Sequence, residues 1–459
     1  MYVSNYSTNV LIDQVEGQVI YKTKEEVLLR ARDAIGIPFG QMLKNNADLE
    51  GDFNKGTVGN LIQEQHFGYA VNSRAEADFV EAGVELKVTP YKKTRNGISS
   101  KERLVLNIID YMKEYTYSFN SSSFWKKNNS IQLMFYEHNL DIPRQFWSIS
   151  HVYLWDMNNE PELNQIMQDW LFIHKMIIDG RAHEISEGMT LYLGACTKGA
   201  NSNSLRTQPF STELAKQRAF CIKSSFMSVL LNEVITGTRI NLPRIYNVTD
   251  DNTFETYIIS QLTPYIGQLQ NRLLLQFGID VTAKNVNAIL LGKMLGIKGS
   301  INKTAEFMKA GIVTKTIVVE FNGKIVEHMS FPNFNFVKLS NEQEWEESEI
   351  YNYFSATKFL FVVFQRNENG DLIFKGIKFW SMPTNDLLEY QNVWQEAVTA
   401  TKQGNELLFP RAVDSRIGHV RPHAKDKMDV DVFPNGLTAT KRCFWLNNRY
   451  VSQQIKDIL

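Results

Sequence analysis

Three residues between positions 78 and 87 combine acidic and basic side chains in an order suited to phosphodiester hydrolysis. Asp78 is followed seven positions later by Glu85, and Lys87 stands two positions further on, in the stretch DFVEAGVELK. Mg²⁺ prefers carboxylate oxygens and keeps several waters, so Asp78 and Glu85 can hold it beside a phosphate, with the Leu86 carbonyl as an extra ligand. The ion polarises the phosphoryl group, while Lys87 favours hydroxide or stabilises developing charge. The pattern predicts a metal-dependent nuclease centre, although an acid two residues before a lysine is common in proteins.

The residues around this motif predict a strand and a helix that position it. Alternation in VELKVT places Glu85 and Lys87 on one face of a strand and apolar side chains on the other. A half-exposed strand with a simple ion pair would show the same alternation. Residues 57–67 predict a helix with Glu64 at the edge of its apolar face. Glu64 then either turns towards the strand or stays in solvent as a surface glutamate.

Predicted strands and helices alternate along the chain, which indicates the α/β class with a mixed sheet flanked by helices. Thr23 and Glu26 form a capping box that begins the first helix. The remaining predictions are strands at 83–90, 131–137, 146–155 and 190–199 and helices at 162–180 and 215–235.

The composition predicts a folded protein of two or three domains in a reducing compartment. The chain has 459 residues, a net charge of −1 and three cysteines without paired spacing. The first residues lack the basic start and apolar core of a signal peptide, and the longest apolar runs are strand-sized, so a cytoplasmic protein without a membrane partner is expected. Two basic patches, at 198–223 and 411–449, are suited to phosphate binding, although each could equally be a solvated surface.

The same order of motifs recurs in the second half of the chain. Residues 304–315 (TAEFMKAGIVTK) match 76–87 (EADFVEAGVELK) at five of twelve positions, at an offset of 228. HFG corresponds to MLG at this offset, and QRAFCIKSSF resembles KRCFWLNNRY at an offset of 224. Three collinear segments favour a duplicated domain over chance similarity or a short repeat. With a linker near 236–252, the predicted domains are 1–240 and 241–459.

The segment KGTVGNLIQEQHFGYAVNSRAEADFVEAGVELKVTP resembles the catalytic segment of the MutH family, the GATC-nicking endonucleases of mismatch repair. It resembles still more their larger relatives, the two-domain type II restriction endonucleases that cut at GATC, and the similarity extends to about Val234. The resemblance implies a restriction-endonuclease-like fold, Mg²⁺ as cofactor and hydrolysis of DNA 5′ of the G in GATC. By the same resemblance the metal ligands are Asp78 and Glu85. The implied catalytic residues are Glu64, Asp78, Glu85, Lys87 and Lys127, with Lys126 as an alternative to Lys127.

The resemblance also implies DNA contacts in the first half, with departures from the family pattern. Lys55 and Gly56 match a DNA-contacting loop, although the chain is one residue longer between this loop and the helix acid. Lys198 lies on a recognition loop where the family's Arg-Pro-Lys has become Cys-Thr-Lys, and Cys221 stands where a groove-contacting tyrosine is expected. The remaining phosphate-binding candidates of this half are Arg218 and Lys223.

The second half departs from the pattern where chemistry would be needed. Glu306 and Val313 occupy the positions of the two metal ligands, and Gly292 faces the helix acid, although Lys315 is retained. One acid and a lysine cannot hold Mg²⁺ against water, so this half is predicted to be catalytically inactive.

A DNA-reading role is nevertheless predicted for the second half. The stretch HVRPHAKD restores the family's Arg-Pro as Arg421 and Pro422, and Arg421 can bind guanine through its O6 and N7 atoms. A solvated basic surface is the alternative. The predicted DNA-binding residues are Arg421, His423, Lys425, Lys441 and Arg442.

Together these patterns predict a type II restriction endonuclease in which the first domain cuts and the second binds another DNA site as an effector. A palindromic site has two equivalent scissile bonds, so one active site per chain implies a transient homodimer on DNA or two sequential nicks. The resemblance implies functional pairing with a cognate DNA methyltransferase in a prokaryotic cytoplasm. The alternatives are a mismatch-repair nicking endonuclease and a catalytically silent, sequence-specific DNA-binding protein.

Overall fold

The computed structural model describes residues 13–15, 18–42, 57–71, 75–94, 97–199, 204–240, 242–246, 252–280, 282–283 and 285–459. Strands and helices alternate through these residues, which confirms the predicted α/β class. The strands are β1 (Asp13–Val15), β2 (Gln18–Ile20), β3 (Glu85–Thr94), β4 (Gly97–Ser100), β5 (Leu104–Ile108), β6 (Ser130–Glu137), β7 (Ile149–Asp156), β8 (Leu193–Thr197), β9 (Leu205–Gln208), β10 (Ser211–Lys216), β11 (Arg218–Ile222), β12 (Val313–Val319), β13 (Met329–Asn333), β14 (Phe359–Arg366), β15 (Leu372–Trp380), β16 (Gly418–Pro422), β17 (Val430–Val432), β18 (Thr438–Thr440) and β19 (Arg442–Leu446).

The helices of the described ranges vary from a single turn to twenty residues. None of them combines the length and the apolar character that crossing a membrane requires. The helices are α1 (Lys24–Arg32), α2 (Phe39–Met42), α3 (Thr57–Leu61), α4 (Tyr111–Glu114), α5 (Ser123–Asn128), α6 (Leu163–Ile178), α7 (Ser224–Thr236), α8 (Phe254–Leu262), α9 (Gln270–Gln276), α10 (Val286–Met294), α11 (Ala305–Ala310), α12 (Phe336–Asn341), α13 (Glu349–Ala356), α14 (Thr384–Gln403) and α15 (Asn448–Gln454).

The chain divides into two compact units. The first comprises Met1–Ile178 and Gln217–Asn241, and the second comprises Asp179–Lys216 and Leu242–Leu459. The chain thus passes between units at 241–242, within the linker that the sequence predicts. The segment Asp179–Lys216 also belongs to the second unit, whereas the prediction placed it in the first domain.

The main sheet of the first unit has the strand order β4–β3–β6–β7. β3 runs parallel to β6, with Glu85 opposite Ile131 and Lys87 opposite Leu133. Seven of the eight residues of β6 are buried, as expected for a central strand covered on both faces. Because parallel strands begin at the same edge, the start of β3 lies beside the end of α5, the helix that precedes β6.

The second unit repeats this arrangement. β12 runs parallel to β14, and β14 pairs antiparallel with β15, as β6 does with β7. Val313 lies opposite Phe359, and both residues stand 228 positions after the Glu85–Ile131 pair. β19 begins 224 positions after β11, and each pairs antiparallel with an earlier strand, β13 or β5. Both offsets therefore correspond to the repeated folding pattern that the sequence predicts.

One predicted helix is wrong in its first part. Periodicity predicts a helix over 215–235, whereas the structure has the strand β11 followed by α7. All five residues of β11 are buried, and Ala219 lies opposite Ile108 of β5. A short apolar run cannot be distinguished from a buried helical segment by periodicity alone, because both faces of the strand are covered.

Gly418, at the start of β16, allows the strand that carries Arg421 to pack tightly in the second unit. A methyl group at this position would come within 2.4 Å of Tyr390 Cε2 and 2.5 Å of the Trp445 carbonyl oxygen. The Tyr390 ring is fully buried, and its hydroxyl donates a hydrogen bond to the same carbonyl oxygen at 3.1 Å. The long helix α14 is therefore held against β16 and β19 with no room for a Cβ.

Substitution of Gly418 by alanine should destabilise the second unit by about 1–3 kcal/mol, the usual cost of overpacking a core. The measurement is the thermal unfolding midpoint of the full chain. Gly59→Ala is the control, because no atom of the described residues lies within 4 Å of a Cβ there and α3 accepts alanine. An unfolding midpoint unchanged in Gly418→Ala would contradict this account of β16.

Candidate active site and DNA-reading strand

A short turn before β3 brings the two acids of the motif together. The backbone N–H of Phe79 donates to the Val84 carbonyl at 2.9 Å, and Val84 donates back at 3.2 Å, so the chain between them folds on itself. This closure places Asp78 beside the start of β3, where its Oδ2 accepts a hydrogen bond from the Leu86 N–H at 3.0 Å. Asp78 and Glu85 are therefore neighbours in space although seven positions apart in sequence.

Two lysines lie against the carboxylate of Glu85. Lys87 Nζ donates to Glu85 Oε1 at 2.8 Å, and Lys127 Nζ lies 3.4 Å from Oε2 while it donates to the Glu76 carbonyl at 2.9 Å. Lys126, the preceding residue of α5, is exposed. The structure thus places Lys127, and not its neighbour, at the cluster.

The electrostatics of the cluster suit a divalent cation. Only 2% of Glu85 is exposed, and burial raises the pKa of its carboxyl, an effect that Lys87 opposes and Asp78 reinforces. Glu85 Oε2 accepts no hydrogen bond, although the Lys127 ammonium lies 3.4 Å away, so this buried carboxylate oxygen can still accept a cation as ligand. Asp78 and Glu85 thus fit the hard oxygen ligands of Mg²⁺. No cluster of three His, Cys, Asp or Glu residues with metal-binding geometry occurs in the described part of the chain.

The helix next to the cluster leaves Glu64 in solvent, the second of the two placements that the sequence allows. α3 continues into a π-helical turn at Ile62–His66. Glu64 is exposed in this turn, and its Oε1 lies 3.4 Å from the backbone N–H of Val71. The preceding residue, Gln63, is buried, and its Nε2 lies 3.4 Å from Asp78 Oδ1. Gln63 was missed by the sequence analysis, although the extra residue between the Lys55–Gly56 loop and Glu64 was a possible signal of a changed helical register.

The predicted DNA-binding residues of the first half have different environments. Lys55 and Gly56 lie outside the described residues. Lys198 is exposed just after β8. Arg218 and Lys223 are only 4% and 2% exposed, so neither side chain is presented to a phosphate in this conformation. The predicted phosphate contacts of Arg218 and Lys223 are therefore not supported by the structure.

In the second unit the carboxylate at the position of Asp78 has a structural role. Glu306 is buried, and its carboxylate accepts hydrogen bonds from the backbone N–H groups of Ile245 and Tyr246 at 3.1–3.3 Å. Val313 stands at the position of Glu85 and has no metal-binding atom in its side chain. This acid therefore holds the segment that enters the unit, with no second acid beside it on β12.

The lysine and glycine of the same region are equally unsuited to catalysis. Lys315 Nζ donates to the Ser330 carbonyl at 2.6 Å and lies 4.9 Å from the Phe331 ring centre. Burial lowers the pKa of the Lys315 ammonium. At Gly292 a Cβ would come within 2.1 Å of the Gly299 carbonyl oxygen, so a glutamate could not be accommodated without movement of the backbone.

The strand β16 presents Arg421 on an aromatic support. The Arg421 guanidinium lies 5.5 Å from the Trp445 ring centre, and the His423 ring meets the same indole edge-on at 5.6 Å. Arg421 and His423 are exposed, and His423 Nδ1 lies 2.8 Å from Asn333 Oδ1. A guanidinium stacked on tryptophan is held in a narrow range of orientations. Trp445 was missed, although the offset of 224 aligns it with Cys221, where the family has an aromatic residue.

The other predicted DNA-binding residues of this half differ in availability. Lys425 is exposed. Lys441 forms an ion pair with Asp429, and Arg442, which is 8% exposed, pairs with Glu406 at 2.7 Å. The predicted role of Arg442 in DNA binding is therefore not supported, because its guanidinium is buried and its charge is already compensated.

Comparison with known proteins relates the whole chain to DNA-cleaving enzymes. The family model described as DNA mismatch repair enzyme MutH matches residues 67–169, which include both acids and both lysines of the cluster. The type II restriction enzyme Sau3AI of Staphylococcus aureus is 38% identical, over 96% of this chain and 99% of that protein. The DNA mismatch repair protein MutH of Shewanella woodyi is 31% identical over 46% of this chain and 92% of its own length, and MutH of Vibrio vulnificus strain YJ016 is 26% identical over 48% and 96%.

The contacts of Glu306 predict how the second unit responds to substitution. Glu306→Ala leaves two buried N–H groups without an acceptor and should cost about 1–3 kcal/mol. Glu306→Gln keeps an acceptor oxygen, so its loss should be small. Thermal unfolding of the full chain distinguishes the two variants, and equal unfolding midpoints would contradict the role assigned to this carboxylate.

The buried carboxyl of Glu306 also makes the stability of the protein depend on pH. Burial raises the pKa of Glu306 above its ordinary value of 4.5, so the folded state favours the protonated carboxyl. Its contribution to stability is therefore lost as the pH rises through the raised value. As the pH rises above 4.5, Glu306→Gln should therefore become more stable relative to the wild type, and the opposite trend would contradict the raised pKa.

Proposed function

Since this chain belongs to the type II restriction enzymes that contain a MutH domain, we propose that it cleaves DNA at GATC, 5′ of the G, with Mg²⁺ as cofactor. It is a site-specific deoxyribonuclease. The observation that carries the proposal is the cluster at the start of β3, where Asp78 and Glu85 lie together and Lys87 and Lys127 contact the Glu85 carboxylate.

Each side chain of the cluster has a distinct proposed task. Asp78 and Glu85 hold the cation, with the Leu86 carbonyl as an additional oxygen ligand. When bound, Mg²⁺ polarises the scissile phosphoryl group and lowers the pKa of a coordinated water. Lys87 and Lys127 place positive charge where the phosphate oxygens gain negative charge during attack. The buried position of Glu85 strengthens these interactions, because water screens them poorly there.

For the second unit we propose binding of a further GATC site without hydrolysis. Arg421 on β16 and His423 just after this strand lie beside Trp445, and Lys425 follows in the exposed turn. A guanidinium in a fixed orientation matches the O6 and N7 acceptors of guanine in the major groove. In the first half of the sequence, Lys198 and the Lys55–Gly56 loop are the proposed DNA contacts.

Partners follow from the proposed reaction. A palindromic site has two equivalent scissile bonds, so a transient homodimer on DNA would allow both strands to be cut in one encounter. A cognate DNA methyltransferase would protect the host genome from cleavage. The proposed place of action is the prokaryotic cytoplasm, where the DNA substrate lies.

Cleavage of unmethylated plasmid of known sequence tests the proposed centre. Wild type in Mg²⁺ should give fragment ends that begin with GATC, and Glu85→Ala should lower the rate at least about 100-fold, since one of two acidic ligands is lost. Lys127→Ala should lower it by about 100-fold, whereas Lys126→Ala, which changes the exposed neighbour, should cleave as the wild type does.

Other outcomes of this experiment identify the alternatives. Nicked circles without linear product would favour a nicking endonuclease. Intact plasmid together with a clear gel shift would favour a silent DNA-binding protein. Equal rates for Lys127→Ala and Lys126→Ala would remove Lys127 from the proposed centre.

The proposed second DNA site is tested in the full chain, made inactive by Glu85→Ala. Titration with a GATC duplex should yield a complex with two duplexes per chain. Adding Arg421→Ala should weaken the second binding event by about 1–3 kcal/mol, the value of one bidentate arginine–guanine contact. Arg411→Ala is the matched control, because it removes the same charge from an exposed arginine that pairs with Asp414. A second event equally tight in Arg421→Ala would exclude Arg421 as the reader.

A further inference from the structure

The turn that follows α3 has an unusual hydrogen-bond pattern. The backbone N–H of Phe67 donates to the Ile62 carbonyl at 3.1 Å, five positions earlier, which is the spacing of a π-helix. Such turns are rare, often interrupt α-helices near functional sites, and take up an extra residue. The resemblance to the MutH pattern implies one extra residue between the Lys55–Gly56 loop and Glu64, a stretch that ends within this turn. The helical register therefore changes at Ile62–His66.

Contacts on both sides fix the rotation of this turn. Ile62 is fully buried in the core of the first unit. His66 Nε2 lies 2.8 Å from the Arg30 carbonyl oxygen, and the Arg30 guanidinium donates in return to the His66 carbonyl at 2.5 Å and 3.1 Å. Rotating the turn enough to direct Glu64 inward would break this reciprocal pair and expose Ile62. The side chain that faces β3 is thus determined by packing against α1.

The residue that the turn directs towards β3 is Gln63. Its side chain is buried, and its amide nitrogen lies within hydrogen-bond distance of Asp78 Oδ1. Asp78 Oδ2 is held at the same time by the Leu86 N–H. One carboxylate oxygen of Asp78 is therefore oriented from the helix and the other from the strand, while Glu64 is exposed and contacts Val71.

We infer that Gln63, and not Glu64, is the helix residue of the catalytic centre. Gln63 is a positioning residue: its amide orients the Asp78 carboxylate for the cation. This inference deepens the proposed function and rests on it, since it assumes that Asp78 and Glu85 bind Mg²⁺. A neutral amide adds no third negative charge to a site where Glu85 is already buried beside Asp78.

Replacing the amide by a carboxylate should strengthen cation binding, because affinity for hard divalent ions rises with the number of charged oxygen ligands. Removing the amide should weaken cation binding, because Asp78 loses one of the two groups that orient it. Methionine is the suitable replacement, since its length and flexibility are close to those of glutamine and preserve the buried packing. Changing Glu64 should leave the centre unaffected.

The experiment measures Mg²⁺ binding to the full chain by isothermal titration calorimetry, in parallel with plasmid cleavage as a function of Mg²⁺ concentration. Gln63→Glu should lower the Mg²⁺ Kd about tenfold. Gln63→Met should raise the Kd and the half-saturating Mg²⁺ concentration severalfold, with a smaller change in the maximal rate at saturating Mg²⁺. Glu64→Gln should match the wild type in both measurements. Thermal unfolding midpoints with and without Mg²⁺ show whether each variant is folded and provide a second binding readout.

Loss of Mg²⁺ binding in Glu64→Gln, with wild-type binding in Gln63→Met, would overturn the inference. Asp78→Asn separates this failure from failure of the proposed centre itself. It should abolish Mg²⁺ binding and cleavage if Asp78 is a ligand, and this result supports the premise whichever helix residue proves important. Wild-type binding and cleavage in Asp78→Asn would reject both the centre and the role of Gln63.

Discussion

The candidate active site of the first unit depends on the ion pairs that compensate the buried carboxylate of Glu85. A carboxylate removed from water is costly unless cations or hydrogen bonds compensate it. Here the compensation comes from Lys87 on the same strand and from Lys127 on the helix before the neighbouring strand. The parallel pairing of β3 with β6 is what brings Lys127 within reach, because both strands begin at the same edge. A bound divalent cation would satisfy the same charge, so the scaffold that tolerates the buried acid also prepares the site for a metal ion.

The second unit shows what the same scaffold does without that carboxylate. Its strands have the same pairing at a constant offset, yet Val313 occupies the critical position and no acid pair exists on β12. The two remaining polar residues have become structural. Glu306 binds backbone N–H groups, and Lys315 donates to a backbone carbonyl. Sheet pairing and core packing, rather than the acids, therefore specify the repeated fold.

Charge along the chain is an incomplete guide to the DNA-binding surfaces. The basic segment of the second half contains residues with quite different environments. Arg442 is buried in an ion pair with Glu406, whereas Arg421 lies exposed on Trp445. In the first half, Arg218 and Lys223 are buried as well. A positive residue can attract phosphate only when its charge is neither buried nor compensated, and the sequence does not reveal either condition.

The sequence by itself determined the acid–lysine motif, the α/β class and the repeated order of elements. These features depend on short-range spacing: the alternation of a strand places Glu85 and Lys87 on one face, and an offset between similar segments is visible without coordinates. Only the tertiary structure decided between Lys127 and Lys126, turned Gln63 rather than Glu64 towards Asp78, and seated Arg421 on Trp445. Each of these outcomes depends on the packing of elements that are distant in the chain. A π-helical turn, a buried ion pair and an aromatic support are set by those long-range contacts, which local patterns do not encode.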